Sequence, residues 1–165
     1  MTAHDLPRSR YVRPNEDEGE RLDRHWNELL QELRLAQTGT QILFAFLLSI
    51  AFTNRFQDAD RYTHVIFACT LVASALAMGL FLAPVSLHRI VFQKYLRDRM
   101  IPLAARMASG GLILLLVAIS GGVLLALDVV VSRAIALAIV GLVFVWFVSF
   151  WYILPTWIRR TDSGQ

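Results

Sequence analysis

The stretch Met107–Leu127, MASGGLILLLVAISGGVLLAL, has 21 residues and no charged side chain. Roughly 20 helical residues, each rising about 1.5 Å, cross a hydrocarbon core of about 30 Å. This stretch alone is therefore long enough to span a membrane. Three further charge-free stretches, 38–54, 65–87 and 134–154, have comparable lengths, and all 16 basic and 13 acidic residues lie outside the four. The sequence thus predicts a polytopic membrane protein.

The composition of the 165-residue chain agrees with this interpretation. Its hydrophobic content of 56% exceeds the roughly 45–50% typical of water-soluble domains. We predict an all-α protein whose residues 38–154 form a transmembrane domain, with four helices in an up-down bundle.

Basic residues are distributed unevenly around the four spans. Segments 1–37, 88–106 and 155–165 hold 13 lysines and arginines, whereas the two remaining links hold 3. The positive-inside rule therefore predicts a multi-pass protein of the cytoplasmic membrane with both termini, including the tail 155–165, in the cytoplasm.

The net charge of +3 does not indicate nucleic-acid binding. Such binding requires a basic face or a recognition helix, whereas here the basic residues flank apolar spans. The expected partner is a bilayer with anionic headgroups. The residues expected to contact those headgroups are Lys94, Arg97, Arg99 and Arg106.

The segment before the first span divides into two parts. Residues 1–15 are polar and lack periodicity, which predicts a disordered cytoplasmic tail. Residues 16–37 predict an amphipathic cytoplasmic helix, because apolar side chains recur at helical spacing. These side chains are Leu22, Trp26, Leu29, Leu33 and Ala36. Nothing before the first span would stop this helix, so we expect one long helix from about Glu20 to Phe52.

The amphipathic helix has two alternative roles. It can lie on the headgroups or pack on the 88–106 loop, or it can form the seam of a coiled-coil dimer.

The first span is unusual because its purely apolar run, Ile42–Phe52, has only 11 residues. The polar segment 37–41 must therefore help to complete the crossing. Small and polar residues follow one helical face: Thr38, Gln41, Ala45 and Ser49. We expect this face to pack on other helices, since an unpaired amide in hydrocarbon is costly. The alternative is the lining of a polar cavity.

Small residues also mark the later spans. Ala73 and Ala77 in the second span, and the pairs Gly110-Gly111 and Gly121-Gly122 in the third, predict close helix packing. The link 128–133 is short enough to force the third and fourth spans into an antiparallel hairpin. Within it Asp128 and Arg133 can form an exposed ion pair, which contributes little to stability.

Motifs of catalysis and metal binding are missing from the sequence. The single cysteine, Cys69, excludes an intrachain disulfide and a cysteine zinc site, and we interpret it as a small buried hydrophobe. The four histidines lack metal-ligand spacing, and neither a phosphate loop nor a Gly-x-Ser-x-Gly elbow occurs. We predict no catalytic residue, no metal, no cofactor and no enzymatic activity.

The run from Leu22 to Leu48, LDRHWNELLQELRLAQTGTQILFAFLL, is distinctive, as are Ala83-Pro84-Val-Ser-Leu-His88-Arg89 and Phe92. Over about residues 20–150 the chain resembles a family of small actinobacterial four-helix membrane proteins, catalogued as a domain of unknown function. The positions that carry the resemblance are Glu28, Leu29, Leu30, Glu32, Arg34, Gln37, Thr38, Gly39, Gln41, Pro84, His88 and Arg89. The resemblance implies the four-helix fold, and some relatives carry a sodium/proton antiporter label.

These positions suggest a polar cluster at the cytoplasmic face. Its candidate members lie near the inner ends of the first two spans: Glu28, Glu32, Arg34, Gln37, Thr38, Gln41, His88 and Arg89. The alternative role for them is headgroup anchoring and helix packing.

Two functional interpretations follow from the sequence. The first is a non-enzymatic membrane interaction or scaffold protein that packs with itself or with another membrane protein through its amphipathic helix. The second is a small oligomeric transporter or channel, such as a sodium/proton antiporter. Ion-coupled carriers usually place ionisable residues inside the membrane, and these four spans contain none.

Overall fold

The computed structural model describes residues 17–91 and 97–162, and the predicted tail 1–15 lies outside these ranges. Every regular element within them is helical, as the all-α class predicts. The elements are α1 Glu18–Ala51, α2 Asn54–Gln57, α3 Arg61–Val91, α4 Arg97–Asp128, α5 Arg133–Val148, a π-helical segment Ser149–Ile153, and α6 Leu154–Asp162.

Four helical stretches are long and apolar enough to cross a membrane. They are Gly19–Ala51, Arg61–Leu87, Ile101–Asp128 and Arg133–Ile158, and each overlaps one charge-free stretch of the sequence. Helices α3 and α4 pack along each other, α1 packs on both, and α5 packs on α4. The chain is therefore an up-down bundle. We call the end with the α4–α5 link the hairpin end, and the opposite end the arm end.

Helix α1 is the single long helix that the sequence predicts. It begins with a capping box: the Asp17 carboxylate accepts from the backbone N–H of Glu20 at 2.7 Å, and the Glu20 carboxylate accepts from the backbone N–H of Asp17 at 3.3 Å. Towards the arm end, Leu33 is only 5% exposed and packs with Phe81 of α3 and Leu115 of α4. The amphipathic helix thus packs on its own bundle.

The seam between α3 and α4 is as close as its small residues predict. A methyl group added at Gly111 would lie 2.5 Å from the Phe81 ring, and one at Gly121 would overlap the Thr70 hydroxyl. Ala77 of α3 is fully buried in the same seam. Glycine is required at these two positions because the neighbouring helix occupies the space of a side chain.

Two local expectations are corrected. Cys69 is exposed, because the buried side of α3 passes through its neighbour Thr70 and then through Ala73 and Ala77. The 88–106 segment, expected as a loop, belongs largely to the ends of α3 and α4; only residues 92–96 between them lie outside the described part.

The last span contains a π-helical turn. This turn, Ser149–Ile153, ends two residues before Pro155, which lacks a backbone N–H and crowds the carbonyl four residues earlier. A π-turn relieves such a local conflict within a helix. The helix therefore continues as α6 to Asp162, well into the segment 155–165 that was expected as a tail.

Candidate functional site

Among the described residues of the predicted polar cluster, no hydrogen bond or ion pair joins one side chain to another. Glu28 forms an ion pair with Arg24, one turn earlier on α1, at 3.5 Å. Glu32, Arg34 and Arg89 are exposed, and no hydrogen bond or ion pair joins them to one another in the part of the chain that is described. Gln37 is half-buried, and the side chain of His88 lies outside the described part.

The residues expected at the headgroups are only partly described. Arg106 is exposed on α4. Lys94 and the side chains of Arg97 and Arg99 lie outside the described part.

The small and polar face of α1 points away from the three other spans. Thr38, Gln41, Ala45 and Ser49, which we call the α1 outer face, are all exposed. The side of α1 that packs on the bundle instead presents Leu33, Leu47 and the fully buried Thr40, whose hydroxyl donates to the Ala36 carbonyl at 2.7 Å. The α1 outer face therefore does not pack on the other helices of the same chain, and its expected packing on other helices stays a prediction.

The clearest polar constellation lies at the hairpin end. Arg133 at the start of α5 donates to Asp128 at the end of α4, through two hydrogen bonds of 3.1 Å. The same guanidinium donates to Asp60, just before α3, at 3.0 Å. The expected Asp128–Arg133 pair is thus present. Because Arg133 also bonds to Asp60, the ends of α3, α4 and α5 are linked to one another.

Asp60 also caps α3. Its Oδ1 accepts from the backbone N–H of Thr63 at 3.0 Å and from the Thr63 hydroxyl at 2.6 Å. These two bonds, followed by that from Arg133, stabilise the carboxylate and lower the pKa of Asp60 from 3.8 to about 2. Asp60 is therefore a permanent anion at neutral pH.

Aromatic rings surround this constellation. The Arg133 guanidinium lies over the Tyr62 ring, 4.2 Å from its centroid. The Phe56 ring of α2 contacts the rings of His64 and Phe67, with centroids 4.7 and 4.5 Å away. The short helix α2 is thus held against the hairpin end.

A pocket of about 590 Å³ opens beside the same residues. Its wall is apolar at the ends of α1 and α4, and its rim carries Arg55, Asp58, Asp60 and Asp128. The described residues contain no group of three or more histidine, cysteine or carboxylate side chains that could hold a metal ion. The pocket therefore combines charged groups with an apolar wall, which suits an amphipathic organic molecule better than an ion.

The sequence contains a partial signal for this region. The short link 128–133 placed Asp128 and Arg133 together, but Asp60 lies 73 residues before Arg133 and no local spacing connects them. The Asp-x-x-Thr spacing of a helix N-cap at Asp60 and Thr63 was the available clue.

Four helices that are long and apolar enough to cross a membrane are typical of an α-helical, multi-pass membrane protein. The chain belongs to a family of unknown function, DUF6328, whose model matches residues 15–155. No curated protein and no solved structure matches the chain.

Proposed function

We propose that this chain is a non-enzymatic membrane interaction protein that self-associates, and that a second copy docks on the α1 outer face. The observation that carries the proposal is the exposed amide of Gln41, which makes no hydrogen bond within the described part of the chain.

The position of Gln41 along α1 makes this amide costly. Gln41 lies ten residues before the end of the helix at Ala51, which corresponds to about 15 Å along the axis. A hydrocarbon core of about 30 Å that begins at the end of α1 contains this position. A polar group at that depth requires a protein partner, because lipid tails offer no hydrogen bond.

A second copy supplies such a partner. An amide both donates and accepts, so two Gln41 side chains related by a two-fold axis satisfy each other. The hydroxyls of Thr38 and Ser49 already donate to the carbonyls of Arg34 and Ala45, at 2.9 and 3.0 Å. Ala45 and Ser49 are small and lie one turn apart, which allows two helices to approach closely.

The amphipathic part of α1 is a poorer contact surface. Leu33 is buried and Leu29 is partly buried against the chain's own bundle, so neither is free to form a coiled-coil seam. The proposed contact therefore lies on the opposite side of α1.

The alternative transporter function lacks a visible pathway. Leu47, Phe67 and Leu125 pack together between the helices near the hairpin end. This apolar layer contains no ionisable group to carry a proton or sodium ion.

From the positive-inside bias, we propose that the protein resides in the cytoplasmic membrane with both termini inside and with its basic residues on anionic headgroups.

Cysteine cross-linking in native membranes tests the proposed dimer. In a Cys69→Ser background, Ala45→Cys is expected to form an inter-chain disulfide or short bis-maleimide cross-link. Gly141→Cys is the matched control, because Gly141 lies on α5, outside the α1 outer face, and a Cβ added there meets no atom within 4 Å. Equal cross-linking at both sites, or none at Ala45→Cys, would contradict the proposal.

A second experiment measures the amide itself. Gln41→Leu is expected to weaken the dimer about sevenfold in micelles, since two interhelical hydrogen bonds of about 0.6 kcal/mol each are lost. Sodium or proton flux in liposomes that is abolished by Gln41→Leu would instead support the transporter.

A further inference from the structure

The pocket at the hairpin end is amphipathic along its depth. Its volume of about 590 Å³ lies within the range of roughly 300–1,000 Å³ typical of small-molecule sites. Phe46 and Ile50 of α1 and Leu125 of α4 form its apolar wall, and the charged residues occupy only its rim. The polarity of the pocket thus changes from one end to the other.

The rim offers one free cation and one free anion. Asp60 and Asp128 are both engaged by Arg133. Arg55 and Asp58, by contrast, make no side-chain hydrogen bond or ion pair within residues 17–91 and 97–162, and both are exposed. The three carboxylates of the rim are balanced by Arg55 and by the adjoining Arg133, which leaves one excess negative charge.

The apolar wall reaches into the membrane. Phe46 lies five residues before the end of α1, about 8 Å below it. Its side chain is 53% exposed, so this wall of the pocket borders the lipid. On the bundle side, Leu125 of the pocket wall packs with the buried Leu47 and Phe67. The exposed Phe46 therefore marks the side from which a molecule of the surrounding leaflet can enter.

We propose that this pocket binds a zwitterionic phospholipid with a primary amine, such as phosphatidylethanolamine. Asp58 accepts hydrogen bonds from the ammonium group, and Arg55 donates to the phosphate. The first carbons of an acyl chain lie on Phe46 and Ile50. This site is separate from the α1 outer face and does not depend on self-association.

The chemistry of the rim separates this lipid from its common alternatives. A primary ammonium donates three hydrogen bonds, as the lysine ammonium does, whereas the quaternary ammonium of phosphatidylcholine donates none. Phosphatidylglycerol lacks a cation for Asp58 and is repelled by the excess negative charge.

The test uses the full-length protein, delipidated in detergent and offered equimolar phosphatidylethanolamine, phosphatidylcholine and phosphatidylglycerol with identical chains. Native mass spectrometry counts the lipids retained. We expect one phosphatidylethanolamine per chain, retained about tenfold more strongly than either competitor, the change that corresponds to one charge-assisted hydrogen bond. Asp58→Asn should remove this preference, whereas Arg55→Gln should weaken the retention of all three lipids, because each carries the phosphate that Arg55 contacts. Ala126→Trp, at an exposed position in the pocket wall, should displace the lipid.

Matched controls carry the same charge changes elsewhere. Glu32→Gln, at the arm end, and Arg61→Gln, at the hairpin end but outside the pocket, should leave the preference unchanged. Equal retention of the three lipids, or a preference that survives Asp58→Asn, would overturn the proposal. Free phosphoethanolamine that competes as well as the lipid would also overturn it, because the site would then recognise a soluble molecule rather than a membrane lipid.

Discussion

Arg133 donates a hydrogen bond of 3.0 Å to Asp60, although 73 residues separate the two in the sequence. Because Arg133 also donates to Asp128, one guanidinium joins the first turn of α5, the last residue of α4 and the residue that precedes α3. The link between the third and fourth spans is thereby fastened to the second span. The contact sets the relative positions of three helix ends around the pocket.

Replacement of Arg133 should loosen the hairpin end. We expect Arg133→Gln to lower the thermal midpoint in micelles modestly, because Arg133 and Asp60 are about half exposed and exposed ion pairs contribute little. Arg133→Lys should retain only part of the contact, since a lysine cannot reproduce the planar fork of a guanidinium. Thermal unfolding followed by circular dichroism measures both variants. The control is Arg61→Gln, and a midpoint no lower in Arg133→Gln than in this control would contradict the prediction.

The carboxylate of Asp60 should titrate at unusually low pH. Its pKa is depressed to about 2, so its contribution to stability is complete above the ordinary value of 3.8 and is lost as the pH falls through about 2. Carboxyl-carbon NMR shifts measured against pH test this value. The Thr63 hydroxyl is the largest cause of the shift, so Thr63→Val should raise the pKa of Asp60 more than Arg133→Gln does. The reverse order would show that the ion pair dominates.

The helical bundle was predictable from the sequence because each span can be recognised from its own residues. The lengths of the charge-free stretches predicted the four helices, and the paired glycines predicted the close α3–α4 seam. The short link 128–133 predicted the hairpin. These signals depend on neighbouring residues alone, so no knowledge of the tertiary structure was needed.

The orientation of α1 about its own axis was not predictable in the same way. Both of its faces have a plausible partner: Leu33 lies on an apolar stripe and Gln41 on a small, polar one. The apolar stripe packs on the bundle because Phe81 of α3 and Leu115 of α4 contact it. Only the assembled fold brings these two residues together. The α1 outer face was therefore left exposed, and the Asp60–Arg133 contact was missed because its partners are distant in the chain.

The α3–α4 seam should not tolerate side chains at its glycines. We expect Gly121→Ala to destabilise the protein by about 1–3 kcal/mol, the usual cost of overpacking, because the added methyl overlaps the Thr70 hydroxyl. Gly79→Ala is the matched control: no atom lies within 4 Å of that position, and alanine is the better helix former by about 1 kcal/mol. Adding Thr70→Ala to Gly121→Ala should recover part of the loss. Unfolding in a denaturing detergent titration measures these changes, and equal stability of the two glycine variants would refute the close contact.

Leu33 holds the amphipathic part of α1 against the bundle. Alanine substitutions of Leu33 and Leu35, two leucines on the same helix, test this contact. Leu33 is 5% exposed, whereas Leu35 is 77% exposed. Leu33→Ala leaves a cavity against Phe81 and Leu115 and should cost about 2–5 kcal/mol, the range for a buried leucine. Leu35→Ala should change stability by less than about 0.5 kcal/mol, as surface substitutions do. Hydrogen exchange of the α1 amides around position 33 should rise in Leu33→Ala and stay unchanged in Leu35→Ala. If both variants exchange alike, this part of α1 is held by lipid and not by the bundle.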